Sequence, residues 1–427
     1  MPGAVSQLIS KGIQDESLTD LPEITFYEAV YQQYVDFAVE SIQHSFQGTP
    51  NFGRTNTVEL TRTGDMITRM LLEVTLPAIT PTGGTSPTFR WAPYIGQTAI
   101  RYATLEIGST TVDKQYGLWM NVWTDLSVKE DQRRSHLEMI GQQVVQENIS
   151  YAGGIGTATY SYSGLQTPKT THAETKVYVP LKFWFDEPGL ALPIIAMPFA
   201  PVRVKIEFRT YADLWVTSGS PTGGVTGQSL VDTTLWVDHI FVDNDERQRI
   251  VDEPHEYLIC QNQFPGENVV ATSTTSVTQK LNLNHPVKAL YWFYQRDAAS
   301  DGTGTDVDWV DYTDTNGLNC VSDYRVKINN QDRNATRDGV ISRHWFPYYH
   351  HSHCPRRPGI NMMSFALYPE DFQPSGSLNF SRVDNPELVL TLTAASTSGG
   401  AGKLYIFAVN LNTFRVANGT AGLGFAA

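Results

Sequence analysis

The stretch "KVYVPLKFWFDEPGLALPIIAMPFAPVRVKIEF", residues 176–208, alternates apolar and polar side chains at both ends and is broken in between by Pro188, Pro193, Pro198 and Pro201. Val177, Val179 and Leu181 share one face of an extended chain, as do Val202, Val204, Ile206 and Phe208, because successive side chains on a strand point to opposite sides. The prolines cannot donate to a ladder, and they interrupt the apolar run of residues 189–202 well short of a membrane span. The stretch therefore predicts strand, long turn and strand, with one face of each strand buried in a β-sandwich.

The same alternation spreads outward in both directions. "YVDFAVESI" places Val35, Phe37 and Val39 on one face, expected to be buried, and "MLLEVTL", "LWVDHIFVD", "EYLICQNQF", "KALYWFYQ", "YRVKINN", "ELVLTLTA" and "KLYIFAVN" repeat the theme. Composition agrees: 20 Tyr, 19 Phe and 9 Trp suit strands, 33 Gly and 23 Pro supply turns, and only 18% of residues are charged. Helix signals are few and short: "PEITFYEAVYQQ" after Asp20, "YGLWMNVWTDL" around Trp119 and "DNDERQRIVDE" around Arg247.

At 427 residues the chain exceeds what one core normally needs. The Gly/Ser/Pro stretch "SGSPTGGVTGQS", residues 218–229, reads as the linker. The expected division is an N-terminal segment over 1–23, a first sandwich over 24–217, the linker over 218–229 and a second sandwich with a C-terminal tail over 230–427. A faint echo ties the halves together: "FWF", the turn "DEPGLALP" and "VRVKIEF" match "SFALYP", "EDFQPSGSLNF" and "ELVLTLTA". Two stacked jelly rolls are the all-β architecture to which it points.

Net charge is -13, with 44 acidic against 31 basic residues, so the average field repels phosphate backbones and anionic head groups. Direct nucleic-acid binding is not expected. Three scattered cysteines, Cys260, Cys320 and Cys354, are too few for a disulfide framework. The first twenty residues lack the basic start and apolar core of a signal peptide.

"HWFPYYHHSHCPRRP", residues 344–358, gathers four of the ten histidines and raises the question of a metal. Zinc needs three or four converging N or S ligands, and His350, His351, His353 and Cys354 are too nearly adjacent to aim at one ion without a tight loop. A jelly-roll metalloenzyme of the cupin kind would follow His351-Ser352-His353 with a glutamate within a few residues, whereas the first carboxylate here is Glu370. The stretch is expected to be a connection, with its histidines on the surface and Trp345, Phe346, Tyr348 and Tyr349 packed on the sandwich or on a neighbouring subunit. Asp306, Asp308, Asp311 and Asp314 lack the spacing of a calcium loop, and Arg133-Arg134 and Arg356-Arg357 read as solvated surface. Phosphate-loop, dinucleotide and nucleophile-elbow motifs are missing, so no catalytic, cofactor or metal residue is assigned.

Read together, "QLISKGIQDESLTDLPEITFYEAVY", "DFAVESIQHSFQGTPNFG", "TRTGDMITRMLLEVTLP", "LEIGSTTVDKQYGLWMNVW", "WVDHIFVDNDERQRI", "LNLNHPVKALYW" and "MSFALYPEDFQPSGSLNFSRVDN" occur in the order seen in the major capsid proteins of nucleocytoplasmic large DNA viruses. The chain resembles that family, phycodnavirus and iridovirus type, from about Gln7 to "GLGFA" near its end. The resemblance implies two consecutive eight-stranded jelly rolls and a homotrimer forming a pseudo-hexagonal capsomer. It also implies an icosahedral virion shell assembled in host cytoplasm over an internal membrane that the chain does not enter, with neighbouring capsomers, minor capsid proteins and penton proteins as partners. One departure is Gln32-Gln33 after Val30-Tyr31, where the family often carries a basic pair. A carbohydrate-binding or attachment β-sandwich is the competing reading, suggested by the aromatic content and long loops.

Overall fold

Alternating burial organises the chain into two sandwiches of the same strand order. The computed structural model describes residues 3–10, 12–13, 19, 21, 23, 31, 33–152, 155–300, 307–398 and 400–425, with the backbone alone over 143–164. Residues 3–36 form a unit of their own, in which helix Gly3–Ile9 buries no side chain. The helix expected after Asp20 falls mostly outside the described residues.

Eight strands build the first sandwich: β1 (Phe37–Ser45), β2 (Thr55–Glu59), β3 (Met66–Leu76), β4 (Ile100–Ile107), β5 (Thr110–Tyr116), β6 (Thr175–Leu181), β7 (Val202–Phe208) and β8 (Asp232–Val242). They pair in the orders β1-β8-β3-β6 and β2-β7-β4-β5, all antiparallel. Eight more build the second: β9 (His255–Gln263), β10 (Ser276–Lys280), β11 (Pro286–Arg296), β12 (Val321–Ile328), β13 (Gln331–Asp332), β14 (Asn361–Ser364), β15 (Glu387–Leu392) and β16 (Gly402–Ala417). Their orders, β9-β16-β11-β14 and β10-β15-β12-β13, repeat the first set strand for strand. Both halves are jelly rolls. The echo read in the sequence marks equivalent connections, β6 to β7 and β14 to β15.

The join lies later than the composition suggests. β8 follows the 218–229 stretch, yet it pairs with β1 from Phe37↔Val242 to Ser45↔Thr234 and with β3 on its other side. The Gly/Ser/Pro stretch is thus a loop inside the first sandwich, and the strand after it belongs to that sandwich. Helix Asn244–Asp252 then leads to β9. A flexible composition marks a loop but does not say whether the chain returns to the same sheet.

Burial on one face holds for strands such as β7, whose residues alternate buried and half-buried throughout. It fails for β11 and β16. Leu290, Trp292, Tyr294, Leu404, Ile406 and Ala408 point into the second sandwich, while Tyr291, Phe293, Tyr405, Phe407 and Val409 point into a further core between the sandwiches. Two apolar faces explain the unbroken run "ALYWFY". β1 departs in the other direction: Phe37 and Val39 are 58% and 52% exposed, because the start of this edge strand runs beyond the core, and Val35, which precedes the strand, is exposed as well.

Helix Gly117–Ser127 fills the space between the sandwiches. Its Trp119 ring lies 5.1 Å from Tyr291 and 5.4 Å from Phe407. Gly117 lets the helix begin close against β4 of the first sandwich, since a Cβ there would sit 2.1 Å from the Ile100 carbonyl oxygen. Trp119→Ala should therefore cost about 3–5 kcal/mol, read as a lowered urea midpoint. A cost near that of a surface substitution would contradict a joint core.

Beside this core lies a polar seam between β5 and β9. The Asp113 carboxylate accepts from Gln115 Nε2 and from the Asn262 backbone amide, and Asn262 Nδ2 donates to Gln115 Oε1. Burial pushes Asp113 up to about 6, against 3.8 when free, its hydrogen bonds opposing the rise only in part. Below about pH 4 the group is protonated folded or unfolded and costs nothing; above about pH 6 the folded chain carries the full penalty, about 2–3 kcal/mol. Asp113→Asn should raise the melting temperature at pH 8, with a gain that shrinks between pH 6 and 4. Calorimetry showing a gain that grows on acidification would contradict the assignment.

Candidate assembly surface

The histidine-rich stretch is a connection between β13 and β14. A π-helical turn (Ile341–Trp345) runs directly into a short helix (Phe346–His350) that carries Pro347 near its start. His351 then turns inward. Its Nδ1 donates to Glu370 Oε1 at 2.6 Å, and its Nε2 lies 2.8 Å from the Tyr291 hydroxyl.

The fold thus brings to His351 the carboxylate that is nineteen positions away in sequence, but both ring nitrogens are engaged in hydrogen bonds. Glu370 also accepts from the Ser352 amide and hydroxyl. Burial pushes the Glu370 carboxyl up, while the bonds from His351 and Ser352 outweigh it and hold the group below the usual glutamate range.

The other histidines separate. His350 Nδ1 meets the Leu367 carbonyl at 2.8 Å, and the His353 amide donates to the Leu126 carbonyl while its Nε2 is buried. Cys354 is exposed. Among the described residues no three His, Cys, Asp or Glu side chains are placed to share a metal ion. The expectation of surface histidines is corrected at His351, whose side chain is fully enclosed.

The acidic residues also diverge. Asp311 pairs with Arg296 at 2.8 Å, Asp314 accepts from the amides of Asn316 and Leu318, and Asp308 caps the Val310 amide. Asp306 lies outside the described residues. The basic pairs are not uniformly solvated. Arg133 is buried in an ion pair with Asp125 at 2.8 Å, and Arg357 is buried with bonds to Asn121 Oδ1 and the Val310 carbonyl, its guanidinium 4.3 Å from the Tyr94 ring centroid. Arg357 therefore ties the second sandwich to the helix carried by the first.

Of the aromatic side chains in the connection, Phe346 packs inward, against both the inter-sandwich core and the second sandwich. Trp345, Tyr348 and Tyr349 stay outside, 56%, 71% and 54% exposed, and contact one another at 4.6 and 5.0 Å between ring centroids. The His350 bond to Leu367 brings the exposed Leu367–Tyr368 segment alongside. A contiguous apolar group of this kind is a candidate contact surface.

Two antiparallel jelly rolls of one strand order, fused through a common core, make this a double jelly-roll protein. Comparison with known proteins gives the family. The model described as the major capsid protein N-terminus matches residues 25–243, and that of the large eukaryotic DNA virus major capsid protein matches 246–422. The chain is 33% identical to the major capsid protein of Phaeocystis pouchetii virus, with 100% of both covered, and 33% identical to that of Paramecium bursaria Chlorella virus 1, again with 100% of both covered. Its backbone matches a chain of the quasi-atomic model of the PBCV-1 virus capsid with TM-score 0.74 at 29% identity, covering 94% of this chain and 100% of that one. A likeness in fold alone extends to the Faustovirus major capsid protein, TM-score 0.79 at 16% identity, covering 95% and 94%.

The chain belongs to the major capsid protein family of large eukaryotic DNA viruses. It is a structural component of the virion capsid, not an enzyme, and the attachment-module reading is not favoured.

His351→Ala removes the bond at each ring nitrogen and leaves Glu370 and Tyr291 short of a partner. It should cost about 1–3 kcal/mol in urea unfolding, and His350→Asn about 0.5–1 kcal/mol. Equal, negligible losses would show that the enclosed ring contributes nothing.

Proposed function

We propose that three copies close into a homotrimer whose six sandwiches form a pseudo-hexagonal capsomer, the tile of an icosahedral shell. The observation that carries this reading is the repeated strand order of the two halves, β1-β8-β3-β6 with β2-β7-β4-β5 and its repeat in β9 to β16. Two like rolls fused side by side turn threefold symmetry into near-sixfold packing, which a hexagonal lattice of tiles requires.

In this reading the exposed Trp345, Tyr348 and Tyr349 contact a neighbouring copy, since aromatic side chains dominate the centres of stable interfaces. The segment over 1–23 faces the inner side of the shell, towards minor capsid proteins and an internal membrane that it approaches without crossing. Penton proteins close the vertices, and assembly takes place in the host cytoplasm. The acidic balance of the chain argues against direct contact with the packaged nucleic acid.

Analytical ultracentrifugation of the purified chain should show one species of three-chain mass at micromolar concentration. Replacing Trp345 and Tyr349 together by Asp should weaken that species at least tenfold while leaving the circular dichroism of the chain unchanged. A stable monomer in the unsubstituted protein would refute the trimer, and an unaltered trimer in the variant would remove the aromatic group from its interface.

A further inference from the structure

A cleft of about 370 Å³ opens beside helix Gly117–Ser127, with residues of both sandwiches in its walls. That is room for about a dozen water molecules, and it falls within the size range of small-molecule sites. Trp119, Trp123, Trp184 and Phe372 supply apolar wall, and Lys288 and Cys260 line the same space.

Lys288 is the unusual member. It projects from β11, where it is 1% exposed, and its Nζ donates to the Asp371 carbonyl at 2.7 Å and lies 3.8 Å from Cys260 Sγ. An ammonium has three donors, and these partners are a carbonyl and a thiol that burial pushes above its ordinary value, so neither brings a negative charge. Enclosing an ammonium without a counter-charge is costly.

Of the three carboxylates in the cleft wall, Glu187 is exposed, and the other two are already committed. Glu370 accepts from His351 and Ser352, and Asp186 accepts from Lys182 at 2.6 Å. An anion entering the cleft would meet Lys288 with its head while its body covered the half-buried Trp123 and the exposed Phe372. Both contributions act together for a molecule that has an acidic head and an apolar body.

We propose that this cleft is a binding site for an amphiphilic organic anion, its head group accepting from Lys288 Nζ and its apolar body lying along Trp123 and Phe372. The cysteines provide a readout that does not depend on the variant. Cys260 lines the cleft, Cys354 is exposed elsewhere and Cys320 is buried.

Isothermal titration of the purified full chain with decanoate, decanol and decyltrimethylammonium separates head from tail. Decanoate should bind one per chain, about tenfold to a hundredfold more tightly than decanol, as expected for a hydrogen bond to a charged group. Decyltrimethylammonium should bind more weakly than either. Lys288→Met should abolish the preference for decanoate over decanol. Saturating decanoate should also slow alkylation of Cys260 by N-ethylmaleimide at least tenfold without changing that of Cys354, a measurement on the unsubstituted chain that stands even if the variant does not fold. Equal affinity for the three probes, or unprotected Cys260 at saturating decanoate, would overturn the proposal.

Discussion

The architecture depends on one constraint: the last strand of each sandwich is inserted between its first and third. β8 separates β1 from β3, and β16 separates β9 from β11, so neither sandwich is complete until its final segment has arrived. Pairings of this kind join distant residues, as Phe37 with Val242 and His255 with Val416, and the loop-closure entropy must be met before the ladder forms. The length of the last strand supplies the return, since β16 pairs with β11 over Gly402–Asn410 and with β9 over Ala408–Val416.

The second consequence is that the halves are not independent. β11 and β16 each present one face to their own sandwich and the other to the first, with Trp119 wedged against the outer face. Ile259, Phe414 and Val416 of the second sandwich even join the core of the first. The seam adds directional contacts to the apolar ones: Arg357 on Asn121, and Trp309 Nε1 on the Asp213 carbonyl at 2.8 Å. A tile built this way transmits load as one body, which suits a shell component whose two rolls must keep a set angle within a lattice.

How much of this the sequence discloses varies with the range of the interaction. The strands are legible because period-two burial is local, and β7 follows it residue by residue. So is the equivalence of the β6–β7 and β14–β15 connections, both marked by turn residues between alternating segments. The join is illegible: "SGSPTGGVTGQS" is flexible in composition, but sheet membership depends on a strand far away. Arg133 and Arg357 look like surface for the same reason, since their burial rests on Asp125, Asn121 and Tyr94 becoming neighbours only in the fold. Glu370 was visible as the first carboxylate after the histidines, but its approach to His351 is a tertiary event. Of the aromatic side chains at 345–349, only Phe346 packs on the sandwich as the sequence suggests, since which of them turn inward depends on the path of the connection.

The central claim is that the chain after the 218–229 loop completes the first sandwich and does not begin a separate one. Introducing a specific protease site into that loop and cutting the folded protein tests it most directly. β8 held between β1 and β3, and the core shared by both sandwiches, predict that the cut fragments co-elute unchanged on size exclusion and separate only in denaturant. Fragments that part under native conditions, each folded, would contradict the account and return the join to the loop.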